Sequence, residues 1–291
     1  MTVERSILLI GESNVGKTHY GAQFLKRLMV RECSLQMSGA PTNVEAFTNA
    51  LACLTEGKAT AHTPSEAYLE SVWPVTSYEG GKAELVWPDY GGEQVSSLVA
   101  QRQIPVKWKE RVVGATDWVL MLRLQSIRIE EDQLSRPFHT LFECKKENDQ
   151  VKASDQHADG EQSDAFEISD QARAIELLQI LLYFSKANLD QPLKQPRLTI
   201  LLSCWDELEA TELPEQLLAS RLPMLWSFLS SNWKSPEIYG LSALGRPLSI
   251  DSPDEEYEIQ GPEEFGYVIL PDGSQNKDIT LPIQRLMAKE T

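Results

Sequence analysis

Apolar and polar positions along the 291-residue chain fall into two alternating kinds of run. Short, continuously apolar stretches read as buried strands: Ile7 to Ile10, Trp118 to Leu124, Arg197 to Ser203, and EIYGLSAL at 237–244. Between them, apolar residues recur at every third or fourth position. Tyr20, Phe24, Leu25, Leu28 and Met29 predict a helix from Lys17 to about Glu32, and Val44 to Thr55, ended by Gly57, predicts a second. Further helices are expected over Ser97 to Arg111 and over Ile168 to Ala187, the latter with Ala172, Ile175, Leu178 and Leu182 as its stripe. The stretch 213–233 is helical with an interruption at Pro223, and 279–290 predicts a terminal helix. SVWPVTSY and KAELVWPD flank Glu79-Gly80-Gly81, whose glycines supply the positive φ of a hairpin turn. Strands alternating with helices imply an α/β fold, a mostly parallel sheet covered by helices on both faces with one hairpin between its second and third strands.

Composition narrows the partners. With 27 Lys plus Arg against 43 Asp plus Glu, the net charge is −16, which repels a polyphosphate backbone and excludes broad nucleic-acid or acidic-membrane binding. A local phosphate site survives this, because backbone N–H groups and one lysine hold a nucleotide whatever the distant surface charge. The acid is concentrated. Residues of about 143–165 have almost no large apolar side chain and read as a flexible insertion, and about 249–266 is acidic and turn-rich. A helical insertion is expected at about 32–62, so residues 1–291 form one domain with three additions. The four cysteines and four histidines show no zinc spacing. The apolar run at the N-terminus is four residues, too short for a signal peptide or a span, and no stretch reaches the roughly 18 apolar residues of a membrane helix, so a cytoplasmic protein without membrane insertion is expected.

The chemistry is concentrated in Gly11-Glu12-Ser13-Asn14-Val15-Gly16-Lys17-Thr18, the full G-x-x-x-x-G-K-[ST] pattern between a strand and a helix. Its glycines let the backbone N–H groups of Ser13, Asn14, Val15 and Gly16 face phosphate oxygens at the positive end of the next helix. Lys17 is expected on the β- and γ-phosphates and the Thr18 hydroxyl on Mg2+. After the second hairpin strand comes Asp89-Tyr90-Gly91-Gly92. An Asp at the carboxyl end of a strand beside the phosphate loop serves as a magnesium carboxylate, and Gly92 lets its N–H approach a γ-phosphate.

In this order the chain resembles the translation-factor-related, Ras-like P-loop GTPases, in which a phosphate loop, a hairpin and D-x-x-G follow one another. Ser203-Cys204-Trp205-Asp206 stands where that family has its N/T-K-x-D guanine motif, with Cys204 in place of the Lys whose stem covers the base. Ser242-Ala243-Leu244 matches the later S-A-x loop, whose backbone N–H meets the guanine carbonyl. Asp206 either accepts from the ring N–H and exocyclic amine of guanine, where adenine offers only an acceptor, or starts the next helix. The resemblance further implies a switch threonine, Thr63 with Thr60 as second choice, and a water-orienting residue at Glu93 with Gln94 beside it. The extra length resembles the larger bacterial GTPases of the double-GTPase and conflict-system type, which work beside partner proteins. The implied function is a Mg2+-dependent GTP/GDP switch. A GTP-binding scaffold with little hydrolysis and a P-loop ATPase remain as alternatives.

Overall fold

The computed structural model describes residues 5–30, 33–60, 69–89, 92–128 and 169–288. Their strands are β1 (Arg5–Gly11), β2 (Leu35–Met37), β3 (Leu69–Ser77), β4 (Lys82–Asp89), β5 (Asp117–Leu122), β6 (Arg197–Ser203), β7 (Glu237–Ser242), β8 (Tyr267–Ile269) and β9 (Gln275–Asn276). They form one nine-stranded sheet in the order β2-β3-β4-β1-β5-β6-β7-β8-β9. The centre, β4-β1-β5-β6-β7, is parallel. Both wings, β2-β3-β4 and β7-β8-β9, are antiparallel. Central strands buried on both faces have to be apolar at every position, and the interior of β1 is: Ile7, Leu8, Leu9 and Ile10 are all fully buried.

Alternate side chains leave a strand on opposite faces, so β1 feeds two cores. Leu8 and Ile10 join the side covered by α3 (Gly92–Gln101), α4 (Val106–Gly114), α5 (Asp170–Ser185), α6 (Pro214–Arg221) and α7 (Pro223–Asn232). Ile7 and Leu9 join the side covered by α1 (Lys17–Val30), α2 (Glu45–Thr55) and α9 (Leu281–Met287). On that second side an aromatic cluster of Tyr20, Phe24, Phe47, Trp73 and Trp87 seats the helices on the hairpin, with the two tryptophan rings 4.9 Å apart. α2 lies so close to α1 that a Cβ on Gly21 would come within 2.3 Å of the Phe47 ring.

Three expectations need correction. The helix expected over 97–111 is two helices, α3 and α4, because Arg102 adopts a left-handed φ of 50° and Pro105 cannot donate a backbone bond. The region read as a helical insertion at 32–62 begins with a strand: β2 pairs Leu35, Gln36 and Met37 with Ser77, Thr76 and Val75 of β3. The acidic segment at 249–266 contains a short helix, α8 (Glu255–Gln260), capped by the Asp254 carboxylate, which accepts from the Tyr257 N–H at 2.9 Å. The break at Pro223 stands as expected, between α6 and α7. The insertion at about 143–165 lies outside the described residues. Among the described residues no helix is long and apolar enough to cross a membrane.

At the amino ends of the central strands the buried Asp117 carboxylate pairs with Arg5 at 3.5 Å and with Arg197 at 2.5 Å. The same guanidinium groups also donate to main-chain carbonyls at the end of the chain, Arg5 to Ala288 and Arg197 to Leu286.

Candidate nucleotide cleft

The opposite, carboxyl ends of β1, β5, β6 and β7 open onto a cleft of about 510 Å³, within the range of small-molecule sites. Ligands gather at such strand ends in open parallel sheets, because the loops there are set by the sheet and carry unpaired backbone groups.

One wall is the loop between β1 and α1. Its turn needs two left-handed residues, Asn14 at φ 64° and Gly16 at φ 80°. It also needs no side chain at Gly11, where a Cβ would lie 2.9 Å from the Val15 side chain and 3.2 Å from the Met121 Cβ. Ser13, Asn14, Gly16, Lys17 and Thr18 line the cleft. Val15 turns inward and is buried in the core, anchoring the loop from beneath. The Lys17 ammonium is folded over the loop and donates to the carbonyls of Gly11 at 2.9 Å and Glu12 at 2.6 Å. Loop and lysine thus present a concave, donor-rich surface at the start of a 14-residue helix.

The other wall comes from the ends of β6 and β7. Ser203 is buried and its hydroxyl donates to the Leu122 carbonyl at 3.2 Å, tying β6 to β5. Cys204 then takes a left-handed φ of 52° and leads into the 3₁₀ turn Trp205–Glu207. Trp205 fixes that turn: its indole lies against Gly240 of β7, where a Cβ would meet the ring at 2.5 Å. Asp206 is held at the cleft by Ser242, whose hydroxyl donates to Oδ1 at 2.5 Å while its oxygen accepts from the Gly245 N–H at 2.9 Å. Ser242 is itself fully buried and reaches the cleft only through Asp206, whereas Ala243 lines it directly. Burial, opposed by Arg123 and reinforced by Glu207 and Asp206, pushes the Cys204 thiol up to about 11, so it is a neutral side chain near pH 7.

The structure therefore brings Ser13, Asn14, Gly16, Lys17, Thr18, Ser203, Asp206 and Ala243 to one cleft. Asp89 ends β4. Leu8 of β1 pairs with Val86, which puts Gly11 and Asp89, each three residues further on, level at adjacent strand ends. Gly92 and Glu93 open α3, so their N–H groups belong to a first turn that has no acceptor within the helix. Magnesium takes hard oxygen ligands, and the donor types at the head of α1 and the end of β4, a hydroxyl at Thr18 and a carboxylate at Asp89, fit it. Thr63 lies outside the described residues.

Several lining residues carried no sequence signal. His19 lies behind Thr18, and its Nε2 is 3.1 Å from both the N–H and the hydroxyl of Thr60. Burial holds its imidazole below the ordinary range. Arg123, just past β5, reaches across to the phosphate loop, and Arg246, Pro247, Leu248 and Ile250 form the outer wall. Of the segment read as acidic and turn-rich, Ile250 thus lines the cleft.

Residues 8–286 match the Double-GTPase 1 family over nearly the whole chain. The chain belongs to that family. By family it is a double-GTPase, and its mostly parallel sheet with the phosphate loop between β1 and α1 is a P-loop NTPase fold. A comparison with curated proteins finds no match. Among solved structures, this double-GTPase chain is similar to the signal recognition particle receptor SRb-GTP/SRX complex from Chaetomium thermophilum, with 13% identity and a TM-score of 0.40 over 89% of this chain and 98% of that one. It is also similar to the S. cerevisiae Ski7 GTPase-like domain bound to GTP, with 14% identity and a TM-score of 0.42 over 100% of this chain and 51% of that one.

Proposed function

We propose that this double-GTPase protein binds GTP in the cleft and hydrolyses it with Mg2+, as a nucleotide-dependent switch that acts with partner proteins. The reading rests on one observation above the others: the phosphate loop and the Asp206–Ser242 pair, far apart in sequence, face each other across a single cleft. The loop N–H groups and Lys17 take the phosphates. Asp206 accepts from the guanine ring N–H and amine, and the N–H of Ala243 donates to the guanine carbonyl.

Thr18 and Asp89, together with Thr63 in the triphosphate state, would hold magnesium, which would supply positive charge to neutralise the phosphates. Lys17 leaves the loop carbonyls for the β- and γ-oxygens, stabilising charge as the terminal bond breaks. Glu93, beside Gly92 at the start of α3, accepts a hydrogen bond from the attacking water and lines it up with the γ-phosphorus. The guanidinium groups lining the cleft, Arg123 and Arg246, are already bound to carboxylates, which favours a partner as the source of any further positive charge at the γ-phosphate.

Competition between GTP and ATP for the Mg2+-loaded protein tests the reading, with Lys17→Ala as the control. Preference for GTP, abolished in Lys17→Ala with an unchanged far-UV spectrum, is expected. Equal competition by ATP would make the chain a P-loop ATPase, and unchanged affinity in Lys17→Ala would remove the phosphate site altogether. Single-turnover hydrolysis separates the switch from a scaffold: GTP bound but left intact overturns the catalytic half of the proposal.

A further inference from the structure

Cys204 leaves a gap in the reading above. A purine in the cleft needs a flat surface over its ring face, and a short neutral thiol on a left-handed residue provides none. Arg123 approaches the same place from another strand. Its guanidinium binds Glu207 through two bonds, Nε to Oε2 at 2.9 Å and Nη2 to Oε1 at 2.6 Å, while Nη1 is 3.4 Å from the Asn14 carbonyl. Glu207 follows Asp206 in the same 3₁₀ turn, and Asn14 belongs to the phosphate loop. The cation is therefore tethered to the base-reading turn on one side and to the phosphate wall on the other. All three bonds lie along the edge of the guanidinium, which leaves its planar faces out of them. The side chain remains about one-third exposed, at 32%, and lines the cleft beside Asn14 and Cys204.

We propose that Arg123 is the residue that covers the guanine ring, its guanidinium held flat by Glu207 and Asn14 so that the purine stacks on it between the phosphate loop and Asp206. Arginine suits this role because its planar, weakly hydrated cation stacks on aromatic faces, and a prefixed fork loses little freedom when the base arrives. Glu207 acts as a positioning residue. It holds the plane and does not itself touch the nucleotide. The inference rests on GTP being the ligand of the cleft.

The test titrates wild type, Arg123→Ala, Arg123→Lys and Glu207→Gln with GTP and with inorganic tripolyphosphate, both with Mg2+, monitoring fold by far-UV circular dichroism. Wild type is expected to bind GTP, and Arg123→Ala to lose about tenfold or more of that affinity while tripolyphosphate, which has no base, binds as before. Arg123→Lys should recover only part of the loss, since an ammonium keeps the charge without the plane. Glu207→Gln should fall between wild type and Arg123→Ala. Equal losses for both ligands would make Arg123 a phosphate residue and overturn the proposal. GTP binding unchanged in both Arg123→Ala and Arg123→Lys would reduce the Arg123–Glu207 pair to a structural bridge. Should Arg123→Ala fail to fold, the GTP-to-tripolyphosphate ratio in Arg123→Lys and Glu207→Gln decides in the same way. Failure of wild type to bind GTP at all would overturn the proposed function itself, a result distinct from a wild type that binds beside an indifferent variant.

Discussion

Asp206→Asn is the sharpest probe of base recognition, because the surroundings of the carboxylate dictate how the amide sits. The Ser242 oxygen already accepts from the Gly245 N–H, so its own hydrogen points to Asp206 Oδ1. An asparagine keeps that contact only with its carbonyl oxygen toward Ser242, which turns the NH2 group into the cleft. Guanine then meets a donor where its amine and ring N–H need acceptors. The loss combines a charge-assisted hydrogen bond, about 1.5–3 kcal/mol, with an unpaired donor in a partly dry site, about 1–3 kcal/mol. Because the two overlap, a net cost of about 2–4 kcal/mol is expected, or roughly 30- to 1000-fold in affinity. Xanthine carries a carbonyl in place of that amine. The variant should therefore bind xanthosine triphosphate, which the wild type rejects by placing two acceptors together. Competition titrations of both proteins with both nucleotides measure the exchange. If Asp206→Asn still prefers GTP, Asp206 does not read the base, and the guanine assignment fails even with the phosphate wall intact.

Two further outcomes follow from the packing around the cleft. Gly240→Ala forces a methyl group against the Trp205 ring, so it should cost about 1–3 kcal/mol of stability and also weaken GTP binding, because Trp205 seats Asp206; urea denaturation with nucleotide titration checks both, and lost stability with unchanged affinity would refute the linkage. His19 is held neutral by burial, so the unfolded chain, with an ordinary imidazole near 6.5, takes up the proton first as the solution is acidified. Stability should be full above that value and fall below it, and the decline should be shallower in His19→Gln; identical slopes for the two proteins between about pH 7.5 and 5.5 would show that His19 contributes nothing to it.

The loop wall of the candidate cleft was legible from sequence because it is local: eight consecutive residues, Gly11 to Thr18, contain the loop, and the apolar runs on either side announce its strand and helix. The opposite wall was legible in part, since Asp206 and Ser242 stand at or just past the ends of apolar strands, yet nothing in one dimension shows that the Ser242 hydroxyl donates to Asp206 across 36 positions. Arg123 was silent for the same reason. Its partners lie 84 and 109 residues away, and an arginine after a strand is common enough to attract no notice. Strands β2, β8 and β9 escaped because two or three residues are too few for a period-two pattern to register. The break between α3 and α4 was announced by Pro105, which the single helix expected over 97–111 ran through.

The carboxylate of Asp117, locked between Arg5 and Arg197, bears on the order in which the protein can be made. Arg5 also binds the Ala288 carbonyl, a partner 283 positions later, and Arg197 binds the carbonyl of Leu286. A ribosome delivers Arg5, Asp117 and Arg197 long before these last acceptors emerge. Until then, the two guanidinium groups lack these carbonyl partners. The cleft end of the sheet can be assembled earlier, since its last lining residue is Ile250. Newly made chains thus pass through a stage in which the ligand-facing end is sequence-complete while the opposite end still waits for its closing strap, and nucleotide present at that stage would favour the forms that have already built the cleft.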